Sequence, residues 1–379
     1  MRAVKKVVFI PDSFKGTMSS MEICGIMQRC VKEHYPECEC VSIPVADGGE
    51  GSVDAFLQAL GGEKIYKKVN GPYWGEPVDS YYGILPGNVA VIEMAAAAAL
   101  PMVGDRKDPS KTTTYGVGEL LVDAASKGVE KIILGLGGSA TNDAACGLAT
   151  ACGVVFRDKD GKAFMPVGAT LGDVASIDLS GIDPALKKTP IVTMCDIDNP
   201  FYGPEGASYI YGPQKGADEK MVEFLDGNMK KLASVIEKEL GVDIQSIPGS
   251  GAAGGMGGGM VAFFGSQLQM GIETVLDTVD FDSIIDDADF IYTGEGKIDG
   301  QSLRGKVVIG VARRARKKNV KVLAFVGDIA DGAENAYSEG VTGIFSINRV
   351  ALPYEKQKPR AKNDLYMTLD NLLRFQKAL

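Results

Sequence analysis

Apolar runs and amphipathic segments alternate at the start of the chain. Residues 6–11 predict a β-strand, since all but Lys6 are apolar, and the apolar positions between residues 18 and 34 recur at the spacing of one helix face. Residues 40–45 predict a second strand, and residues 52–60 predict a second helix. This order of strands and helices is typical of a parallel sheet that is covered by helices.

A different pattern occupies the middle of the chain. Gly and Pro punctuate residues 70–77, and the alternating residues 78–93 predict a hairpin. Short apolar strands are predicted at residues 132–134 and 191–194, and each is followed by a polar loop. The glycine-dense residues 248–260 predict a loop that packs close to its neighbours and leads into a helix.

The pattern of the chain start returns near the C-terminus, with strands predicted at residues 289–292 and 320–326. We therefore predict an α/β protein of two domains. A Rossmann-like domain with a parallel sheet is formed by both chain ends, residues 1–72 and 280–379. Residues 73–279 form an inserted α/β domain with a mixed sheet.

Composition and charge narrow the range of partners. The chain has 379 residues, of which 45% are hydrophobic and 23% charged, as is typical of a globular enzyme. Its formal net charge of −9 argues against a nucleic-acid partner, because phosphate backbones need basic patches. No apolar run reaches the roughly 18 residues of a membrane span, and the N-terminal residues predict a first strand rather than a signal peptide. We therefore expect a cytoplasmic protein with no membrane partner.

The cysteines and the single histidine restrict the possible chemistry. The seven cysteines form no CxxC pair and lie mostly in apolar surroundings, which predicts reduced, buried thiols. His34, near the end of a predicted helix, is expected to be a surface residue. A zinc site and a histidine base are therefore disfavoured, so acid–base chemistry is left to Asp, Glu or Lys.

Several predicted strand ends combine glycine with acidic or hydroxyl side chains. They are residues 12–17, 47–51, 135–143, 196–199 and 293–299. Ligands bind beyond the carboxyl ends of strands in sheets of this kind. Glycine and hydroxyl groups suit a polyphosphate, clustered carboxylates suit Mg²⁺, and a remaining carboxylate can take a proton from a substrate hydroxyl. With the lysines Lys15, Lys215, Lys297 and Lys306 to neutralise charge, these loops indicate phosphoryl transfer.

Two shorter motifs point elsewhere and are weaker. Residues 300–306 fit the spacing of a P-loop, but Val307 stands where a Mg²⁺-binding Ser or Thr is needed. Residues 135–140 look like a motif of the galactokinase–homoserine kinase group, whose other motifs are absent from the sequence. No GxGxxG opens the first strand–helix unit, which leaves a dinucleotide-dependent oxidoreductase as a weaker alternative.

Taken together, the loops resemble those of the type I glycerate kinases of bacteria. The segments that carry the resemblance are residues 11–17 (PDSFKGT), 46–51 (ADGGEG), 135–143 (GLGGSATND), 195–200 (CDIDNP), 211–216 (YGPQKG), 249–255 (GSGAAGG) and 293–299 (TGEGKID). They occur in order over essentially the whole chain. The sequence departs mildly from the family pattern at Ala144 and Ala145, where glycines are usual, and at Ser302, where Thr is common.

The resemblance implies ATP-dependent phosphorylation of D-glycerate to 2-phosphoglycerate, or to 3-phosphoglycerate, with Mg²⁺ as cofactor. It also implies a site in the cleft between two domains, and it leaves open which side of the cleft binds ATP. D-glycerate and ATP are then the partners, and the protein is expected to be a monomer or a homodimer. A non-catalytic sensor of a sugar acid or a nucleotide, built on the same fold, is the alternative.

Roles for individual residues follow as hypotheses. Asp196 or Asp143 is the general base near the glycerate hydroxyl, and Lys15 is a third catalytic residue. Substrate or phosphate binding is assigned to Ser13, Gly137, Gly138, Ser139, Thr141, Asn142, Asp198, Asn199, Lys215, Gly254, Gly255 and Glu295. Metal binding is assigned to Asp47, Glu50 and Asp299.

Overall fold

A computed structural model of the chain describes residues 4–45, 48–300 and 306–378. Their α-helices are α1 (Ser20–His34), α2 (Ser52–Leu60), α3 (Ala95–Ala98), α4 (Leu100–Val103), α5 (Tyr115–Ser126), α6 (Cys146–Ala151), α7 (Pro184–Lys188), α8 (Ala207–Tyr211), α9 (Glu219–Leu240), α10 (Ala252–Phe264), α11 (Gly271–Thr278), α12 (Phe281–Ile284), α13 (Val307–Lys317), α14 (Tyr354–Gln357) and α15 (Ala361–Ala378). Their strands are β1 (Lys6–Pro11), β2 (Glu39–Ser42), β3 (Glu63–Asn70), β4 (Pro77–Leu85), β5 (Val89–Glu93), β6 (Lys131–Gly135), β7 (Val155–Arg157), β8 (Ala163–Phe164), β9 (Ser176–Asp178), β10 (Ile191–Met194), β11 (Gln267–Gln269), β12 (Phe290–Ile298), β13 (Lys321–Ile329) and β14 (Val341–Ser346). Short 3-10 helices are Gly168–Asp173, Pro213–Lys215, Ile244–Ser246, Ala333–Tyr337 and Lys358–Arg360. Within these ranges no helix is both long enough and apolar enough to cross a membrane.

The chain divides into two compact units. The first unit combines Met1–Ala46 with Ile272–Leu379, and the second unit is Asp47–Gly271. Both divisions lie earlier in the chain than the sequence predicted, which was after residues 72 and 279. The reason for the first difference is that β3 pairs with β4 along its whole length, so this segment belongs to the sheet of the second unit.

The sheet of the first unit takes its strands from both ends of the chain. Its order is β14-β13-β12-β1-β2, and every neighbouring pair is parallel. Residues 7–11 of β1 are buried, as expected for a strand that is covered on both faces. Helix α1 begins with a capping box formed by Ser19 and Glu22. The predicted Rossmann-like sheet is therefore confirmed.

Helices α1 and α15 pack together, and His34 takes part in their contact. Its Nε2 lies 2.7 Å from Oδ1 of Asp370, and its side chain is only 11% exposed. Nε of Arg374 donates to Oδ2 of the same carboxylate at 2.8 Å. Hydrogen bonds from Arg374 and His34 hold the pKa of Asp370 below its usual range. The expectation that His34 is a surface residue is wrong, because the imidazole joins two helices.

The seven cysteines are free thiols. Cys40 and Cys195 are half-buried, and the other five are buried. Burial raises the pKa of Cys24 to about 12 and that of Cys38 to about 12, which keeps both groups protonated at neutral pH. These observations agree with the predicted reduced, buried state.

The main sheet of the second unit is mixed, as predicted. Its order is β11-β10-β6-β5-β4-β3, in which β3, β4 and β5 are antiparallel and β5, β6, β10 and β11 are parallel. The predicted hairpin corresponds to β4 and β5. A small antiparallel sheet has the order β8-β7-β9. Buried residues of β6 pack in one core with residues of α5, α6 and α10.

Two strands of the first unit extend further than predicted. Strand β12 continues to Ile298 and β13 continues to Ile329, with Glu295 paired in register with Val326. A Cβ at Gly294 would lie 2.1 Å from the carbonyl oxygen of Phe325, so only glycine allows the neighbouring strand this close. Glu295 therefore lies within a strand rather than in a loop.

Candidate active site

Three parallel strands of the second unit end at one edge of its sheet. Gly135 at the end of β6 is the register partner of Glu93 at the end of β5 and of Met194 at the end of β10. The chain after each strand therefore leaves the sheet at the same edge. This register brings together the two predicted loops at residues 135–143 and 196–199.

The glycines after β6 pack against the chain that precedes α2. The N–H of Gly137 donates to the carbonyl of Gly48 at 2.9 Å. A Cβ at Gly137 would lie 2.5 Å from Cα of Gly49, which leaves no room for a larger residue. Two of the predicted loops are thus in direct contact. In the loop predicted at residues 47–51, Glu50 is exposed, and Asp47 lies outside the described residues.

Lys215 is buried against the loop after β6. It ends the 3-10 helix Pro213–Lys215, and its Nζ lies 2.8 Å from Oγ of Ser139 and 2.7 Å from the carbonyl oxygen of Thr141. Burial lowers the pKa of this lysine to about 7, against the opposing effect of the negative charge of Asp143. The predicted residues Ser139, Thr141 and Lys215 therefore form one buried group.

Asp143 is fully buried and connects two backbone segments. Its Oδ2 accepts hydrogen bonds from the N–H of Thr114 at 2.7 Å, from Oγ1 of Thr114 at 2.9 Å and from the N–H of Gly147 at 3.2 Å. Burial raises the pKa of this carboxyl above its usual range, although these hydrogen bonds act in the opposite direction. The contacts join the starts of α5 and α6, which is a structural task.

Asp196 and Asp198, which follow β10, are exposed. Oδ1 of Asp196 accepts a hydrogen bond from the N–H of Gly271 at 2.6 Å, which orients the carboxylate. Asn199 is half-buried. Its amide nitrogen donates to the carbonyl of Glu205, and its amide oxygen accepts a hydrogen bond from the hydroxyl of Tyr211. Of the two residues predicted as the general base, Asp196 is therefore the accessible one.

Other predicted binding residues of the second unit are buried in packing contacts. The amide of Asn142 donates to Oγ of Ser208 at 3.3 Å. A Cβ at Gly254 would lie 2.1 Å from the carbonyl oxygen of Thr141, and one at Gly255 would lie 2.6 Å from a methyl carbon of Met229. Gly254 and Gly255 have left-handed, non-helical backbone at a kink within α10, with φ of 69° and 87°. This agrees with the predicted segment that packs close to its neighbours and leads into a helix.

Left-handed backbone marks both sides of this packing contact. Ala144 has φ 52°, Ala145 has φ 61° and Ala253 has φ 52°, a region that costs an alanine about 1 kcal/mol or more. The N–H of Ala144 donates to the carbonyl of Gly254 at 3.0 Å, which fixes the two strained segments against each other. Ala144 and Ala145 stand where the family that the sequence resembles usually has glycine.

The remaining predicted residues lie in the first unit, at the carboxyl ends of β1 and β12. Pro11 and Gly294 are register partners, so the chain after β1 begins beside Glu295. Lys15 is exposed, Ser13 is half-buried and Glu295 is 4% exposed. Asp299 is half-buried, with a carboxylate oxygen 3.8 Å from Nζ of Lys297. The assignment of Asp47, Glu50 and Asp299 to Mg²⁺ stays a prediction.

Sequence reasoning missed two buried side chains of the second unit. The first is Thr114, whose N–H and hydroxyl both donate to Asp143. Glu93 is fully buried at the end of β5, and its carboxylate accepts hydrogen bonds from the N–H groups of Gly51 and Val53 and from the hydroxyl of Tyr81. A charged residue that closes an apolar strand is a signal that could have identified Glu93.

Comparisons with known proteins agree with this arrangement. A profile described as the Glycerate kinase family matches residues 7–377. Glycerate kinase of Bacillus subtilis (strain 168) is 42% identical over 352 residues, which are 92% of each chain. Glycerate 2-kinase of Escherichia coli (strain K12) is 43% identical over 344 residues, or 90% of each chain. A crystal structure from Salmonella typhimurium LT2, provisionally described as glycerate kinase 2, superposes with a TM-score of 0.87 at 40% identity and covers 99% of both chains.

Proposed function

This chain belongs to the glycerate kinase family, and from that premise we propose that it transfers the γ-phosphoryl group of ATP to the 2-hydroxyl of D-glycerate. The products are then 2-phosphoglycerate and ADP. The name of the Escherichia coli relative, glycerate 2-kinase, supports the 2-hydroxyl over the 3-hydroxyl. The cytoplasm, where ATP is available, is the compartment that fits this reaction.

The observation that carries the proposal is the edge of the second unit's sheet. An accessible carboxylate, Asp196, follows a strand that is hydrogen-bonded to the strand before the glycine loop. Phosphoryl transfer asks little covalent chemistry of a protein and depends on positioning and charge. We propose that Asp196 after β10 acts as the base and that the glycine loop after the neighbouring β6 binds an anion, so that the two loops together supply positioning and charge.

In the proposed reaction, the 2-hydroxyl oxygen of glycerate forms a bond to the γ-phosphorus as the bond from that phosphorus to the ADP oxygen breaks. The hydroxyl proton passes to the carboxylate of Asp196. We favour Asp196 over Asp143 because the Oδ2 of Asp143 is engaged by three donors in the protein interior. Lys15, an exposed cation, is proposed to offset charge on the transferring group.

Mg²⁺ would neutralise charge on the ATP phosphates when bound. Magnesium takes carboxylate oxygens, and the exposed carboxylates of Glu50 and Asp198 have that chemistry. We therefore propose that these two residues contribute carboxylates to the binding of magnesium, while the roles of Asp47 and Asp299 stay predictions.

The test is to incubate the protein with D-glycerate and MgATP and to follow ADP release, with phosphorus NMR of the product. We expect glycerate-dependent ADP and the proton-coupling pattern of a 2-phosphate. A 3-phosphate pattern would correct the position of transfer. Thermal stabilisation by D-glycerate or ATP without ADP release would reject catalysis in favour of a sensor.

A further inference from the structure

Lys215 is a buried cation in contact with the loop after β6. It is only 1% exposed, and its Nζ donates to Oγ of Ser139 and to the carbonyl of Thr141. An ammonium group has no lone pair to offer, so Ser139 must be the acceptor in their contact. The proton of the Ser139 hydroxyl is therefore left for another acceptor.

Within the described part of the chain, that proton has no protein acceptor. The backbone on both sides of Ser139 is held independently of Lys215. The N–H of Leu100 donates to the carbonyl of Gly138 at 2.8 Å, and the N–H of Ala140 donates to the carbonyl of Ala98 at 2.9 Å. Besides its contact with the carbonyl of Thr141, what Lys215 adds to this loop is the direction of the Ser139 hydroxyl group.

We propose that Lys215 fixes the Ser139 hydroxyl as a hydrogen-bond donor to an oxyanion of the bound ligand. The inference rests on the proposed function, which supplies two such groups: the carboxylate of glycerate and the transferring phosphoryl group of ATP. Lys215 is a positioning residue, because its burial keeps it from touching a ligand. Ser139 is itself 9% exposed, and the residue before it, Gly138, is exposed, so this part of the loop lies at the protein surface.

The same geometry makes the hydroxyl sensitive to the charge of Lys215. Its pKa is lowered to about 7 by burial, and Asp143 is the charged group that acts on it. A neutral amine can accept a hydrogen bond, so loss of the proton allows Ser139 to donate inward. The donor toward the ligand is then lost.

A double-mutant cycle tests this inference. Lys215→Met, Ser139→Ala and the double variant are compared with the unmodified protein in the KM for D-glycerate, the KM for ATP and kcat. We expect each single variant to lose about tenfold in one of these constants, and the double variant to lose no more than Ser139→Ala, since both changes remove one hydrogen bond. A loss in the glycerate KM identifies the carboxylate, whereas a loss in the ATP KM or in kcat identifies the phosphoryl group. Losses that multiply in the double variant overturn the inference.

Lys220→Met is the matched control, because it removes a positive charge from an exposed lysine close in sequence and should leave all three constants unchanged. If Lys215→Met does not fold, the unmodified protein and Ser139→Ala are compared by calorimetry with D-glycerate and with ATP. Their affinities for one ligand should differ at about pH 6 and converge at about pH 8.5, on either side of the Lys215 value. A difference that does not change with pH overturns the inference.

The two proposals can fail separately. An unmodified protein that binds D-glycerate or ATP but releases no ADP rejects the proposed function, and the calorimetric comparison still decides the role of Lys215. An active protein whose losses multiply in the cycle rejects the role of Lys215 alone. Absence of binding to both ligands rejects both.

Discussion

Two neighbouring loops of the second unit follow similar apolar strands and have opposite surroundings. The loop after β6 places Asp143 in the interior, where one of its oxygens binds three donors. The loop after β10 leaves Asp196 and Asp198 exposed. Both loops put a carboxylate after an apolar strand, so the strand pattern alone cannot tell them apart. Burial separates a carboxylate that holds the fold from one that can meet a substrate.

The largest expected effect tests the exposed side of this comparison. Asp196→Asn should lower kcat by about 10²-fold or more, because a positioned general base contributes at least that much. ADP release from MgATP and D-glycerate measures it, and the urea-unfolding midpoint should stay close to that of the unmodified protein. Asp160→Asn, at another exposed position, is the control and should be fully active. Near-normal turnover by Asp196→Asn would reject the role of the exposed Asp196 as the general base.

The buried side of the comparison predicts a loss of stability. Asp143→Ala leaves three buried donors without an acceptor and should lower the free energy of unfolding by about 3 kcal/mol or more. Asp143→Asn keeps one acceptor oxygen and should lose less. Urea unfolding followed by circular dichroism gives both values. A large loss of kcat in Asp143→Asn at unchanged stability would transfer the role of base to this residue.

The dependence of stability on pH sharpens the same contrast. In the folded protein Lys215 loses its proton near pH 7, while an unfolded lysine keeps it to about pH 10.4. Between these values the unfolded chain binds more protons, so the contribution of Lys215 to stability rises with pH, by up to about 1.4 kcal/mol per unit. Urea midpoints measured from about pH 7 to about pH 9 should rise relative to those of Lys215→Met. A constant difference between the two proteins would contradict the burial of this lysine.

The smallest expected effect concerns backbone strain in the buried loop. Ala144→Gly and Ala145→Gly should each stabilise the protein by about 0.5–1 kcal/mol, because glycine adopts a left-handed φ without the steric cost that alanine carries. Gly227→Ala on the exposed face of α9 is the opposite control and should also stabilise, since its φ is helical and a Cβ there meets nothing within 4 Å. Denaturant midpoints of the three variants decide this point.

The sequence predicted where the site begins better than which residues it buries. The apolar run of β6 followed by glycine located one strand end, and the run before Asp196 located another. Both signals are local. The burial of Asp143 depends on Thr114, and that of Lys215 depends on Ser139, partners that are far away in the chain. No local pattern contains such contacts, and the same reason explains why β3 was assigned to the other unit.

The contact between Ala144 and Gly254 also has a consequence for the order of folding. The N–H of Ala144 binds a carbonyl that is contributed by α10, from a segment much later in the sequence. Closing so long a loop carries a large entropic cost, and such contacts generally form late. During refolding, helical signals, which depend on local contacts, should therefore recover before the loop after β6 acquires its native backbone. The enzyme regains its helices first and its catalytic competence later.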